Sequence, residues 1–365
     1  MTDTPILVRH ERLHAFLVET LVAMKMPRDA AGTTAGLMVR TDLRGVDSHG
    51  IDMLPRYHEL WREGVIVLDT EPAVVRDDGA TALLDGRKGL GHPVSSRAMR
   101  IAIDKARAYG IGIAAVRNSN HFGAAANYSM MALPHDLIGF ATTNSPYVAM
   151  VPTFGRAAKL GTNPISFAAP AGAEPPFVLD MATTTVAVGK IRVATRWKKP
   201  IPAGWALDDR GVPTPDAFVA LKHRLLTPVG GTRALGSHKG YGLAVMVDVL
   251  SGVMGGAVYG DLYLRSDMRD RKLGNVGHCF AAIDPARFRS IDEFKRDMDD
   301  MIRSLKATPP ADGAERVLVA GEPEAAAEVK RRAEGIPIAP VLLSQVNAIA
   351  DELGVARLAD DPRGA

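Results

Sequence analysis

Between residues 7 and 26 the apolar side chains recur every three to four positions, with Leu13, Phe16, Leu17, Leu21 and Met24 on one face. That period predicts an amphipathic helix. A second helix is expected over 28–43, because Pro27 precedes its start and Asp29 places a carboxylate in the first turn, where the helix dipole favours it. Residues 45–50 read as a loop and 54–62 as a third helix. The texture then changes. Residues 73–77 and 81–84 are short β-like runs separated by Asp78-Gly79, a hairpin signal. Helical spacing resumes over 92–109 and stops at Gly110, followed by a buried-strand pattern over 111–117. Residues 124–133 read as a helix, and 137–143, 165–169 and 176–180 as strands. Strands interleaved with helices predict an α/β architecture behind a helical N-terminal unit. Residues 198–215, rich in Pro, Gly and Trp, read as a long ordered loop. Three helices are expected later, over 240–255, 291–305 and 342–353, with no internal repeat.

Composition narrows the function classes. A chain of 365 residues suits two domains and can bury a core without covalent staples. The single cysteine, Cys279, excludes an internal disulfide and any multi-cysteine metal site, and it suits a reducing, cytoplasmic setting. The formal net charge is +3, with both signs interleaved over 295–300 and 328–332, so no basic arm for nucleic acid or for a membrane surface is expected. The N-terminal residues carry charge within the first ten and do not read as a signal peptide. No apolar run reaches the roughly 20 residues that a membrane span needs.

A dinucleotide-binding turn of the G-x-G-x-x-G type belongs between a strand and a helix. The nearest match, Gly110, Gly112 and Ala115, follows a helix and runs into a strand instead. Gly89 and Gly91 do precede a helix, but as an ordinary helix entry. Any dinucleotide must therefore be held by another arrangement. His49 lies in Asp42-Leu-Arg-Gly-Val-Asp-Ser-His-Gly50, a glycine-bounded loop that crowds two carboxylates, an arginine and a serine around an imidazole. Imidazole suits proton transfer near neutral pH. The competing reading is a capping loop, with Asp47 or Ser48 capping the next helix. His121, in residues 118–123, falls at the carboxyl end of a predicted strand, where α/β proteins build sites. Its competing reading is a polar turn with a surface histidine. His238-Lys239-Gly240 opens a predicted helix, whose amides and lysine suit a phosphate, or else form a plain cap. His10 and His14 match H-E-x-x-H, the zinc-hydrolase helix. With nine residues before it and no third ligand evident, the polar flank of an amphipathic helix is the stronger reading, and no metal site is expected.

Eight segments in order carry a broader signal: DLRGVDSHG (42–50), NSNHFGAA (118–125), GTNPISFAAP (161–170), LDMATT (179–184), GKI (189–191), GWALDDRGVPT (204–214), GSHKGYGLAVMVDVLSGV (236–253) and VAGEPE (319–324). Together they resemble the type-2 malate/L-lactate dehydrogenase family. The resemblance implies an α/β chain with a non-Rossmann nicotinamide-binding domain on a mixed β-sheet, over 73–284. A discontinuous, mainly helical domain would comprise 1–72 with 285–365. It implies a homodimer that moves a hydride between NAD or NADP and a small 2-hydroxy or 2-oxo acid. Reduction of a cyclic imine carboxylate is a close variant, and a cofactor-binding protein without turnover a more distant one.

Carried over by position, His49 resembles a proton donor assigned in the diketogulonate reductases, and His121 an acid/base histidine assigned in the ureidoglycolate dehydrogenases. The resemblance assigns Ser145, Asp180, Met181, Ala182, Lys239, Gly240, Gly321, Glu322 and Pro323 to the cofactor, and Arg44, Ser48, Arg56 and Thr162 to the substrate. One position departs. Many relatives place an arginine four residues after the histidine of the SHG motif, where it can grip a substrate carboxylate through paired hydrogen bonds. Here that residue is Met53; Arg56 and Arg44 are the candidates to substitute, and if neither serves the substrate lacks the usual carboxylate contact.

Overall fold

A computed structural model describes residues 4–145, 147–264 and 275–358. Helices α1 (His10–Ala23), α2 (Arg28–Leu43) and α3 (Leu54–Arg62) form the expected N-terminal helical unit. The apolar face read from the sequence is the buried one: Leu13, Leu17, Leu21 and Met24 are fully enclosed. Each such side chain contributes about 2 kcal/mol through burial. The first helix begins later than its periodicity suggests. Ile6–Val8 forms strand β1, because residues far along the chain offer a partner that local pattern cannot reveal: β1 pairs antiparallel with the last strand, Ile336–Ile338.

The α/β part is built on seven strands: β2 (Ala73–Asp78), β3 (Thr81–Gly89), β4 (Ile111–Ser119), β5 (Ile138–Thr143), β6 (Ile165–Ala169), β7 (Phe177–Met181) and β10 (Val276–Ile283). Their spatial order is β2-β3-β4-β10-β5-β6-β7. Only β3 and β4 are parallel, joined by the crossover helix α4 (Gly91–Tyr109); all other neighbours are antiparallel. The sheet is therefore mixed, as the resemblance implies. Its central strand β10 is buried on both faces and has no alternating pattern to announce it. Val94, Ala98, Met99 and Ala102 of α4 pack on Ala114, Val116 and Phe280 of the sheet. The single helix expected over 124–133 is two pieces, α5 (Ala126–Ser129) and a 3-10 segment, Met130–His135, that ends around Pro134.

Between β7 and β10 lie α6 (Val188–Arg196), the short pair β8 (Ala206–Leu207) and β9 (Leu225–Leu226), α7 (Ala217–His223) and α8 (Ser237–Asp248). A π-helical stretch, Val249–Val253, continues α8. The long loop expected over 198–215 thus contains a strand. After the sheet come α9 (Ile291–Lys306), α10 (Glu322–Glu334), β11 (Ile336–Ile338) and α11 (Pro340–Leu353). Asp299 of α9 accepts the amides of Gly172, Ala173 and Glu174 at 2.9, 2.7 and 3.0 Å, fastening α9 to the β6–β7 turn. By contrast Leu343, Val346 and Ile349 of α11 join the core of the N-terminal helices. Among the described residues no helix is long and apolar enough to cross a membrane.

Candidate active site

The loop after α2 is shaped by a buried carboxylate. Asp42 is 1% exposed and its Oδ2 accepts the Ile51 amide at 2.8 Å. Burial holds this carboxyl well above the usual carboxylate range. Gly50 is what permits the approach, since a Cβ there would lie 1.9 Å from Asp42 Oδ1. From outside, Arg331 of α10 donates to the Asp42 carbonyl at 2.6 Å and to Asp47 at 3.1 Å. The loop is thus gripped on both sides, and His49 stands on it half-buried, with Nδ1 2.8 Å from Ser48 Oγ. Burial lowers the His49 pKa from its ordinary value, so the ring is neutral at pH 7.

His121 arrives from the end of β4. Its Nδ1 lies 2.7 Å from the Tyr57 hydroxyl and also receives the Gly123 N–H at 3.4 Å. Since a main-chain amide can only donate, Nδ1 is the acceptor and Nε2 carries the proton of the neutral ring. Burial, with the neighbouring imidazoles of His49, His92 and His278 adding to it, holds the His121 pKa well below normal. The His49 and His121 rings are 5.4 Å apart, centre to centre.

His49, Ser48 and Gly123 border a cleft of about 460 Å³. Its walls are residues 123–127, 178–182 and 318–321, with Thr41, Arg44, Ser48, His49, Thr162 and Pro164 also on the lining. Asp180 opens its side chain onto the cleft: its Oδ2 accepts the Ala126 amide at 2.8 Å, and desolvation among the surrounding walls pushes its pKa up to about 6. Small residues and main-chain amides dominate the walls, with Gly123, Ala124, Ala125, Ala126, Ala182 and Gly321 among them. A flat heteroaromatic ring can approach such backbone closely, and the carboxylates of Asp180 and Glu324 match a ring that carries positive charge. The donor set fits a nicotinamide.

The cleft therefore brings together His49, Ser48, Arg44, Thr162, Asp180, Met181, Ala182, Gly321 and Pro323, with His121 beside His49. Other assigned residues lie off its lining. The Glu322 side chain turns away, accepting the Val319 amide at 2.9 Å and pairing with Lys306 at 2.9 Å; Glu324 lines the cleft instead. Ser145 is engaged with Asn163 and Tyr147. Lys239 is exposed at the start of α8, and Gly240 packs against Val229. Arg56 is spent on Glu59 and the Tyr147 hydroxyl, and Met53 packs on the helical core, so Arg44 is the arginine that faces the cleft. Its guanidinium sits 3.6 Å from Glu328. Tyr57, which holds His121, was not marked by the sequence; nothing local distinguishes it from any helix tyrosine. His10 and His14 acquire no company: among the described residues no group of three or more His, Cys, Asp or Glu side chains could hold a metal.

A family model described as malate/L-lactate dehydrogenase matches residues 8–347. The chain belongs to the malate/L-lactate dehydrogenase family. It is 40% identical over 350 residues to the malate dehydrogenase of Pyrococcus abyssi, covering 95% of each chain. It is 38% identical over 349 residues to the L-sulfolactate dehydrogenase of Methanocaldococcus jannaschii, covering 96% of this chain and 98% of that one. Among solved structures, the malate dehydrogenase of Entamoeba histolytica superposes with a TM-score of 0.91 at 31% identity, over 96% of this chain and 99% of that chain. Membership of the malate/L-lactate dehydrogenase family makes this chain an oxidoreductase of hydroxy acids that uses a nicotinamide cofactor.

Proposed function

We propose that the chain oxidises a small 2-hydroxy acid, or reduces the matching 2-oxo acid, with NAD or NADP, and that His49 and His121 divide the work on the substrate oxygen. The observation that carries this reading is the pair of imidazoles 5.4 Å apart, with His49 on the lining of a cleft that also holds the Asp180 carboxylate. The bound nicotinamide accepts or supplies the hydride. His49, neutral at pH 7, takes the hydroxyl proton through its free nitrogen, and its protonated form returns it in the reverse direction. His121 donates its Nε2–H to the same oxygen and stabilises the charge that develops there. Arg44 and Thr162 face the substrate end, where Arg44 meets the carboxylate. Residues 180–182, 321 and 323 seat the nicotinamide half, and Ser145, Lys239 and Gly240 are assigned to the more distant phosphates. Titration of the protein with NADH and NADPH, followed by turnover assays on malate, lactate, sulfolactate, ureidoglycolate and a cyclic imine carboxylate, tests the reading. Saturable binding with turnover of a hydroxy acid is expected. Binding without turnover of any hydroxy acid overturns it, and turnover confined to the imine transfers the site to that substrate.

Asp180 gives a second expectation. Its carboxyl is protonated below about pH 6 and ionised above. An ionised carboxylate beside the ring favours the cationic oxidised nicotinamide over the neutral reduced one. The dissociation constant for the oxidised cofactor should therefore fall as pH rises from 5 to 7, while that for the reduced form changes less. Asp180→Asn should abolish the difference in calorimetric titrations, and a pH response that persists in the variant removes Asp180 from the nicotinamide site.

The homodimer is assigned to the exposed apolar stripe of α8 and its π-helical extension. Leu243, Met246, Val249 and Val253 follow one another at helical spacing, each 37–53% exposed. Sedimentation should find a dimer, and Val249→Asp a monomer; a monomeric parent chain discards the assignment. A cytoplasmic location is carried over from the single cysteine and is open to cell fractionation.

A further inference from the structure

Behind the two imidazoles, three buried polar atoms of α4 have no hydrogen-bond partner among the described residues: His92 Nδ1, His92 Nε2 and Ser95 Oγ. Both side chains are fully enclosed. They stand three residues apart, on one face of the helix. His92 meets Tyr57 edge to face, with ring centres 5.7 Å apart and planes at 80°. Its Nε2 points at Gly123, where a Cβ would come within 2.7 Å, so the glycine leaves room at that nitrogen. Tyr57 in turn holds His121 Nδ1, and Gly123 lines the cleft. The other polar groups nearby are committed elsewhere. Tyr128 gives its hydroxyl proton to the Phe122 carbonyl, and His278 bonds Thr143 at 2.7 Å and Ser119 at 2.9 Å.

Leaving a buried polar atom unsatisfied costs about 1–3 kcal/mol, and three side by side on one helix face are more than a native core ordinarily tolerates. A buried water makes about three hydrogen bonds and satisfies such a group at once. The hydrogen-bond inventory fixes what it would do. The Tyr57 hydroxyl has one proton, which goes to His121 Nδ1, and its oxygen then needs a donor. A neutral His92 offers one N–H and one lone pair, and Ser95 one O–H. We infer that His92 is a positioning residue: with Ser95 it holds an internal water that donates to the Tyr57 oxygen and so keeps the Tyr57 proton on His121 Nδ1. The His121 Nε2–H then stays free to serve the substrate oxygen. No proton changes hands in this arrangement; it reinforces the tautomer that the weak, 3.4 Å Gly123 amide contact favours on its own. His92 suits the task because burial drives its pKa down to about 3, which leaves it uncharged beside His49, His121 and His278 at any working pH. The inference rests on the proposed division of roles between His49 and His121.

The test compares His92→Phe, which keeps a ring without polar atoms, with His92→Gln and Ser95→Ala. Nitrogen-15 spectra of histidine-labelled protein, with the His121 signals assigned by loss in His121→Asn, report the tautomer directly and need no substrate. The parent protein should show the Nε2–H form. His92→Phe should show a mixture, with kcat lowered about 10- to 100-fold, the usual range for losing a histidine's supporting partner. KM and NADH affinity should hold, and His92→Gln should recover most of the loss. An unchanged His121 tautomer in a folded His92→Phe protein overturns the inference. If that variant does not fold, Ser95→Ala is read by the same criterion. A parent protein in the Nε2–H form that turns over no hydroxy acid would instead leave the tautomer device standing and remove the proposed reaction.

Discussion

His49→Ala should lower kcat by about 100- to 10,000-fold, the usual contribution of a positioned acid–base group. Affinity for NADH should barely change, because the residues assigned to the nicotinamide lie on other walls of the cleft. The pH dependence follows from the direction of the His49 shift. Burial lowers its pKa, so the neutral, proton-accepting ring persists below pH 6.5. Oxidation of the hydroxy acid should hold steady from neutral pH down to that lowered value and then fall as the ring protonates. Reduction, which needs the protonated ring, should gain over the same interval. In the variant both limbs should vanish. Steady-state kinetics over pH, paired with fluorescence titration of NADH, make the comparison. Equal losses in turnover and cofactor affinity would assign His49 to cofactor binding and leave His121 as the proton carrier.

Gly50→Ala should be nearly as damaging for a different reason. The added methyl falls 1.9 Å from Asp42 Oδ1, and the carboxylate is itself fixed by the Ile51 amide. The loop must open or Asp42 must lose its donor. Overpacking of this kind costs typically about 1–3 kcal/mol, and the displaced strip of chain carries His49. A melting point several degrees lower, with kcat reduced at least tenfold, is the expected outcome, since about 1 Å of misplacement at a reacting group can cost a hundredfold. Calorimetry and kinetics on the same preparation check it. A variant with parental melting point and turnover would show that Asp42 does not set the loop.

Much of this arrangement was legible before any coordinates. The α1 to α4 helices and strands β2 to β7 announced themselves through period and turn residues, since each buries one face against a local neighbour. What escaped detection depends on distant partners. Ile6–Val8 is a strand only because Ile336–Ile338 lies beside it. The site divides in the same way. His49 and His121 lie in segments of distinctive composition and Asp180 in one that only the family resemblance marks, whereas Tyr57 and His92 matter only for what folding sets against them. Glu322 shows the opposite failure. It sits in a matching motif, yet its side chain braces Lys306, and Lys306 also reaches Glu174 at 3.2 Å.

Helix α10 spans about 20 Å at 1.5 Å per residue. Its leading end presents Gly321 and Pro323 to the cleft, and from its trailing end Arg331 grips the strip that bears His49. A single rod therefore gauges the gap between the residues proposed to seat the cofactor and the strip that bears His49. Widening the pocket for a bulkier acid by tilting that rod would misalign both ends together, so substrate range in this scaffold should drift through the side chains of the facing walls while the rod keeps its pitch.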